Sequence, residues 1–291
     1  MHSKHFPNNS KNILKSGILY IVATPIGNME DITIRAINTL NSVDLVAAED
    51  TRHTKKLFAH YKINVPLMSF HEHNEFLKTP KIIDKLKQGF SVALVSDAGT
   101  PLFSDPGYRL VSEAAKNEIK IEPIPGASAL IAALSASGMP TDSFIFIGFL
   151  TKKIKKRRKI LKELANYTQT MVFYESPKRI LTFMEELLDI IGDRYSVIAR
   201  ELTKIHEEFL RGRLSENISI LKNREKIKGE ITLIIKGKED KDNIVEDCSL
   251  DAEIKKSLKK SSSKDTVKFI SEKFNVSKKI IYSKILKIKG E

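Results

Sequence analysis

The sequence predicts two three-layer α/β halves followed by a small helical module. Three observations carry that expectation. The chain has 291 residues, short β-branched runs alternate with longer helical patterns from Gly17 to about Gly237, and beyond that point the texture turns charged and aperiodic. Such a length exceeds what one ordinary core holds and favours roughly two domains. Strand-sized apolar runs separated by amphipathic helices argue for sheets covered by helices, not for a sandwich or a bundle.

Residues 1–16 are polar and lack an apolar stretch, so they read as a flexible tail and not as a signal peptide. The first half, 17–124, takes strands at 18–23, 43–47, 91–95 and 120–124, with helices at 32–41, 81–88 and 108–116. Pro123 and Pro125 break the regularity, and an Ala/Ser/Leu-rich helix follows Gly126, which places the join there. The second half, 125–238, takes strands at 144–148, 170–174, 196–200, 207–211 and 230–235 and a helix at 179–191. Residues 239–249 form a charged linker. The segment 250–291 carries twelve lysines against five acids and reads as two short helices around a turn at Asn275. Val267, Ile270, Phe274, Val276 and Ile280 supply their apolar face and Ser277 a cap, giving a helix-turn-helix-like basic module. Such modules serve nucleic-acid binding and simple packing equally well.

A net charge of +13 points to a polyanionic partner, because Lys and Arg arrays gain affinity from counterion release at phosphates. A general bias towards lysine is the plainer explanation of the same number. One cysteine, Cys248, excludes a disulfide framework and a Cys-cluster metal site, which suits a reducing cytoplasm. The longest apolar stretches, such as 18–23, run far short of the ~20 residues that span a bilayer.

Four turn-rich segments follow expected strands, where ligands bind in α/β sheets. Thr24-Pro25-Ile26-Gly27-Asn28 forces a sharp exit, as any structural turn does. The run from Val95 to Gly107, SDAGTPLFSDPG at its centre, is more telling. An Asp at a strand's carboxyl end followed by small residues can accept hydrogen bonds from a ligand ammonium or hydroxyl while the backbone comes close. A structural reading, with Asp105 capping the next helix, leaves Asp97 to Pro101 unexplained. Pro125-Gly126-Ala127-Ser128-Ala129 sets a serine and backbone N–H groups at a helix start, for a ligand or for capping. The fourth is Phe173-Tyr174-Glu175-Ser176-Pro177-Lys178-Arg179, paired with Ala199-Arg200-Glu201-Leu202-Thr203-Lys204 after the next strand.

TPIGN, EDTR, SFHEHNE, SDAGTPLFSDPG, PIPGASA, FYESPKR, ARELTK and GEITLII stand in the order in which the ribosomal RNA small subunit methyltransferase I family carries them. The chain therefore resembles that family, a branch of the tetrapyrrole-methylase class, from Gly17 to about Gly237. The resemblance implies a class III methyltransferase: two αβα domains with mixed sheets and an S-adenosylmethionine cleft between them. It further implies a homodimer, and methyl transfer to a cytidine ribose 2′-hydroxyl in the decoding region of 16S ribosomal RNA. Carried over residue by residue, the cofactor pocket comprises Pro25, Asp97, Ala98, Gly99, Thr100, Ser128, Ala129, Tyr174, Leu202, Ile231 and Thr232. TPIGN lacks the GxGxGD pattern of the porphyrin-methylating branch, which counts against a tetrapyrrole substrate. Pro125-Gly126-Ala127 stands where the family often has Pro-Gly-Pro.

A ribose hydroxyl is a poor nucleophile, so a base, or a cation that stabilises the developing alkoxide, should assist it. Glu49 and Arg52 offer both within one turn of chain and are the catalytic candidates; a buried ion pair and a helix cap at Asp50 or Thr51 are the structural alternative. Lys152, Lys153, Lys155, Lys156, Arg157 and Arg158 open an expected helix and suit RNA phosphates, although charge runs are often merely solvated. His71 and His73 lack a third ligand nearby, so no metal is expected, and contact with RNA suits them better. No phosphate loop or nucleophile elbow occurs, which disfavours an NTPase or a hydrolase. A non-enzymatic nucleic-acid-binding protein would leave the SDAGTP loop without a purpose.

Overall fold

The computed structural model describes residues 17–238, 247–259, 261–274 and 278–289. The N-terminal tail, most of the expected linker, the turn at Asn275, Val276, the cap at Ser277 and the side chain of Ile280 lie outside the described residues.

Five strands, β1 (Ile18–Val22), β2 (Leu45–Ala48), β3 (Leu67–Ser69), β4 (Val92–Val95) and β5 (Lys120–Ile124), form the first sheet in the order β3-β2-β4-β1-β5. Every pair is parallel, so helical crossovers must cover both faces. Alternation along β4 distributes its side chains accordingly. Val92 and Leu94 pack with Ile82 and Leu86 of α3 (Glu75–Lys87) and Leu110 of α4 (Tyr108–Lys116). Ala93 and Val95 pack with Leu40 of α1 (Ile34–Ser42) and Phe58 of α2 (Thr51–Tyr61). Each fully buried Leu or Phe contributes roughly 1.5–3 kcal/mol, and these two clusters hold the three layers together.

The second sheet holds β6 (Phe144–Phe149), β7 (Thr170–Glu175), β8 (Tyr195–Arg200), β9 (Glu208–Arg213) and β10 (Ile231–Ile235), in the order β6-β7-β10-β8-β9. Here β6 and β7 run parallel and the other pairs antiparallel, so the mixing of directions resides in this sheet. Ile231, Leu233 and Ile235 face a core shared with α6 (Ile154–Leu164), α7 (Ile180–Ile191) and α8 (Leu214–Lys222). Ile234 faces the other way, towards Leu130 and Leu134 of α5 (Ala129–Ser135). Ile26, from the loop after β1, joins that last cluster and so links the halves.

Several elements depart from expectation, the helix α8 among them. β3 is an additional strand, and α3 starts at Glu75, six residues before the expected start at 81, running through Pro80. Beyond the second sheet stand three helices, not two: α9 (Asp247–Leu258), α10 (Ser263–Phe274) and α11 (Lys278–Lys289). The first begins inside the segment read as linker. They pack on one another through Leu250, Ile254, Val267, Ile270, Ile281 and Ile285.

Candidate functional site

Loops leaving the carboxyl ends of β1, β2 and β4 face the second half. Thr24 and Gly99 exchange backbone hydrogen bonds of 2.9 and 3.0 Å, which ties the loop after β1 to the loop after β4. The backbone N–H of Asn28 donates to Thr203 Oγ1 at 3.0 Å. A Cβ on Gly27 would stand 2.8 Å from the Leu202 carbonyl, so this loop presses directly on the 201–204 loop that follows β8.

The loop after β4 is held under strain. Leu102 (φ 77°) and Ser104 (φ 71°) both adopt the left-handed conformation, at a cost of about 1–3 kcal/mol each for residues with a Cβ. Its tip rests against a bulge in β6, where a Cβ on Gly148 (φ +65°) would lie 2.5 Å from Ser104 Oγ. Only a glycine leaves room for that approach.

Together these loops enclose a cavity of ≈ 370 Å3 between the halves, within the range of small-molecule sites. Asp97, Ala98, Gly99, Thr100, Ser128, Ala129, Tyr174, Leu202, Ile231 and Thr232 all line it, and so does Glu49. Pro25 instead lines an adjoining recess of ≈ 190 Å3, which shares Ile26, Asp97 and Ala98 with the cavity. Ser128 occupies the N-cap position of α5 without a side-chain cap bond, leaving its hydroxyl to the cavity. The Tyr174 hydroxyl accepts from the Leu130 N–H at 3.0 Å, and burial pushes its pKa up to about 12.

Among the described residues the cavity wall carries no Lys, Arg or His. It carries three carboxylates outside any ion pair: Glu49, Asp97 and Asp105. Glu49 Oε2 accepts from the Asp97 N–H at 3.3 Å, while Asp97 Oδ1 accepts from the Asp50 N–H at 3.0 Å. Burial, with the Asp97 charge beside it, raises the pKa of Glu49. Burial also lifts Asp105 to about 7, helped by the charge of Glu49.

Several residues stand elsewhere than expected. Arg52 points outward: its side chain is 86% exposed and bonds to Asp50 at 2.8 Å, while Asp50 also caps α2. It brings no cation to the cavity, because Asp50 holds it at the surface. Asp105 does not cap α4, whose N-cap is Gly107. Lys152, Lys153, Lys155 and Lys156 are exposed at the start of α6, but Arg157 turns inward to Glu186 at 2.5 Å and Arg158 bonds Asp189 at 2.6 Å. Those two guanidiniums anchor α6 on α7. His71 receives a hydrogen bond from Asn74 Nδ2 at Nε2, and no group of three His, Cys, Asp or Glu residues among those described could hold a metal ion.

Sequence reasoning passes over Phe103 and Phe149, which line the cavity mouth while 54% and 57% exposed. It also offers Asp105 only as a cap. The dense Asp/Pro/Gly punctuation around Asp105 is the signal that points to it.

The profile of the Tetrapyrrole (Corrin/Porphyrin) Methylases matches residues 18–218. The chain is 52% identical over 225 residues to the ribosomal RNA small subunit methyltransferase I of Halalkalibacterium halodurans, covering 77% of this chain and 78% of that one. It is 51% identical over 223 residues to the protein of the same name from Thermotoga maritima, covering 77% of this chain and all of that one. In structure it is similar to uroporphyrin-III-C-methyltransferase of Thermus thermophilus, with a TM-score of 0.55 at 20% identity over 76% of this chain and 94% of that one. Diphthine synthase gives a TM-score of 0.56 at 16% identity over 76% and 90%. At such identities these last two likenesses speak for the fold alone.

Proposed function

The chain belongs to the tetrapyrrole methylase family, in its ribosomal RNA small subunit methyltransferase I branch, and from that premise we propose that it methylates a cytidine ribose 2′-hydroxyl in the decoding region of 16S ribosomal RNA, with S-adenosylmethionine as donor. The observation that carries this reading is the cavity between the halves, sized for a small molecule and walled, among the described residues, by three unpaired carboxylates without a facing cation. That wall suits a ligand bearing a sulfonium and an ammonium. When bound, S-adenosylmethionine supplies an electrophilic methyl carbon on a positively charged sulfur.

The chain's own groups divide the remaining work. Asp97, the hydroxyl of Ser128 and the backbone at Ala98, Gly99 and Ala129 would hold the polar parts of the donor, and Leu202, Ile231 and Tyr174 its apolar faces. Glu49, on the cavity wall, would serve as the proton acceptor. Its raised pKa brings it nearer the basicity that general-base catalysis at neutral pH requires. Holding donor and hydroxyl in one enclosed site supplies much of the remaining acceleration. Phe103 and Phe149 at the mouth offer rings for an unstacked base, and Lys152, Lys153, Lys155 and Lys156 offer charge for the adjoining phosphates.

Among the described residues no helix is long and apolar enough to cross a membrane, which is compatible with action on ribosomal RNA in the cytoplasm. Incubating the protein with small ribosomal subunits and S-adenosylmethionine labelled in its methyl group tests the reading. Label recovered in a cytidine ribose supports it; label confined to a base, or absent from RNA, refutes it.

A further inference from the structure

At the far end of the second sheet from the cofactor cavity lies a larger groove of ≈ 990 Å3, whose charged lining residues are Arg194, Arg211, Arg213, Lys236, Lys238 and a single acid, Asp193. β10 spans the distance between the two sites. Its first residue, Ile231, lines the cavity, and Lys236, just past its last, lines the groove. At about 3.3 Å per residue, the five steps from Ile231 to Lys236 set the sites roughly 16–17 Å apart.

Four of these cations, Arg194, Arg211, Arg213 and Lys238, take hydrogen bonds to neutral oxygens. Arg194 donates from Nε to the Ile191 carbonyl at 3.1 Å and from Nη2 to the Ala165 carbonyl at 2.5 Å. Arg211 Nη2 donates to the Ala136 carbonyl at 2.6 Å, and Arg213 Nη1 to the Asp193 carbonyl at 2.8 Å. Lys238 Nζ reaches Asn166 Oδ1 at 3.4 Å. Among the described residues none of Arg194, Arg211, Arg213 and Lys238 lies in an ion pair. The carboxylate of Asp193 is spent on the N–H and hydroxyl of Ser215. Arg194 Nη1 is buried and has no hydrogen-bond partner among the described residues. Carbonyls fix the direction of these guanidiniums and leave their charge available. Arg211 and Arg213, two residues apart on edge strand β9, project to the same side about 6.6 Å apart, of the order of the spacing between neighbouring phosphates.

We propose that this groove is a second contact surface for the RNA substrate, in which Arg211, Arg213 and Lys238 bind backbone phosphates, with the charge of Arg194 behind them, while the target nucleotide occupies the cavity at the other end of the sheet. This rests on the RNA reading above. A second copy of the chain is a poorer occupant. A copy would have to bring a carboxylate cluster to meet this surface, wherever else on the chain two copies associate.

The test compares the full-length wild type with Arg211→Gln/Lys238→Gln, and with Arg211→Lys/Lys238→Arg as a charge-keeping control. Affinity for deproteinised 16S ribosomal RNA is measured over a range of salt concentrations, alongside calorimetry with S-adenosylmethionine and sedimentation. The Gln variant should show a log–log salt slope shallower by about 1.4–1.8, because two phosphates are no longer neutralised and each accounts for roughly 0.7–0.9 of the slope. Its cofactor affinity and sedimentation should match the wild type, and the control should keep the wild-type slope. An unchanged slope in the Gln variant overturns the groove, and if that variant also changes its oligomeric state the groove belongs to a second copy. A wild type with no salt-dependent RNA affinity overturns the RNA reading itself, and the groove with it.

Discussion

The backbone N–H of Asp50 donates to the carboxylate of Asp97 at 3.0 Å, and the carboxylate of Glu49 accepts in return from the N–H of Asp97 at 3.3 Å. This reciprocal pair locks the loop after β2 to the loop after β4 and sets two acids at fixed places on the cavity wall.

Asp97→Ala should therefore weaken S-adenosylmethionine binding about tenfold or more, since hydrogen bonds to charged groups contribute roughly 1.5–3 kcal/mol. The fold should survive, because Asp97 is only partly buried and sits in a loop. Calorimetry and circular dichroism check the two halves of this expectation.

Asp105, with a pKa lifted to about 7, should make cofactor binding sensitive to pH. A cation favours the ionised carboxylate, so affinity for S-adenosylmethionine should rise severalfold between pH 6 and 8 and flatten in Asp105→Asn. Stability carries the matching sign. The folded state binds this proton more tightly than the unfolded state, whose carboxyl has the ordinary value of 3.8. The wild type thus has its full advantage below pH 4 and loses it as pH rises through about 7. The Asn variant should gain in Tm relative to the wild type at pH 8 compared with pH 4, as scanning calorimetry will report.

Gly148→Ala would drive a Cβ to 2.5 Å from Ser104 Oγ at a positive φ. The loop carrying Asp105 must then lift from β6. A stability loss of about 1–3 kcal/mol is expected from the overpacking, together with weaker cofactor binding; denaturant titration and calorimetry measure both.

Replacing Lys152, Lys153, Lys155 and Lys156 by Ser should flatten the salt dependence of RNA binding by roughly 0.7–0.9 for each phosphate left without its lysine, with cofactor affinity unchanged. Neither arginine of the same run belongs in this test. Arg157→Ser would strand the buried Glu186 and destabilise the α6–α7 packing.

Much of this arrangement is legible in the sequence because buried parallel strands such as Val92-Ala-Leu-Val95 announce themselves as apolar runs ending in turn residues. β3 is not legible, since Leu67-Met68-Ser69 is three residues long and contains no β-branched side chain. The early start of α3 is hidden by Pro80, whose missing N–H falls in a helix that Ile82, Ile83 and Leu86 hold from the core. Cavity residues next to strand ends can be read because strand ends converge. What a single sequence does not carry is side-chain direction. Arg52 and Arg157 look as available as Glu49 and Lys156 until the neighbouring acids Asp50 and Glu186 are seen to claim them.

The central claim, ribose methylation of a cytidine in 16S ribosomal RNA, is tested most directly by nucleoside mass spectrometry on small-subunit RNA from cells with and without this protein. Loss of 2′-O-methylcytidine from that RNA, restored by the wild-type chain and not by Asp97→Ala, is the expected result. An unchanged amount of 2′-O-methylcytidine in cells lacking the protein would contradict the account.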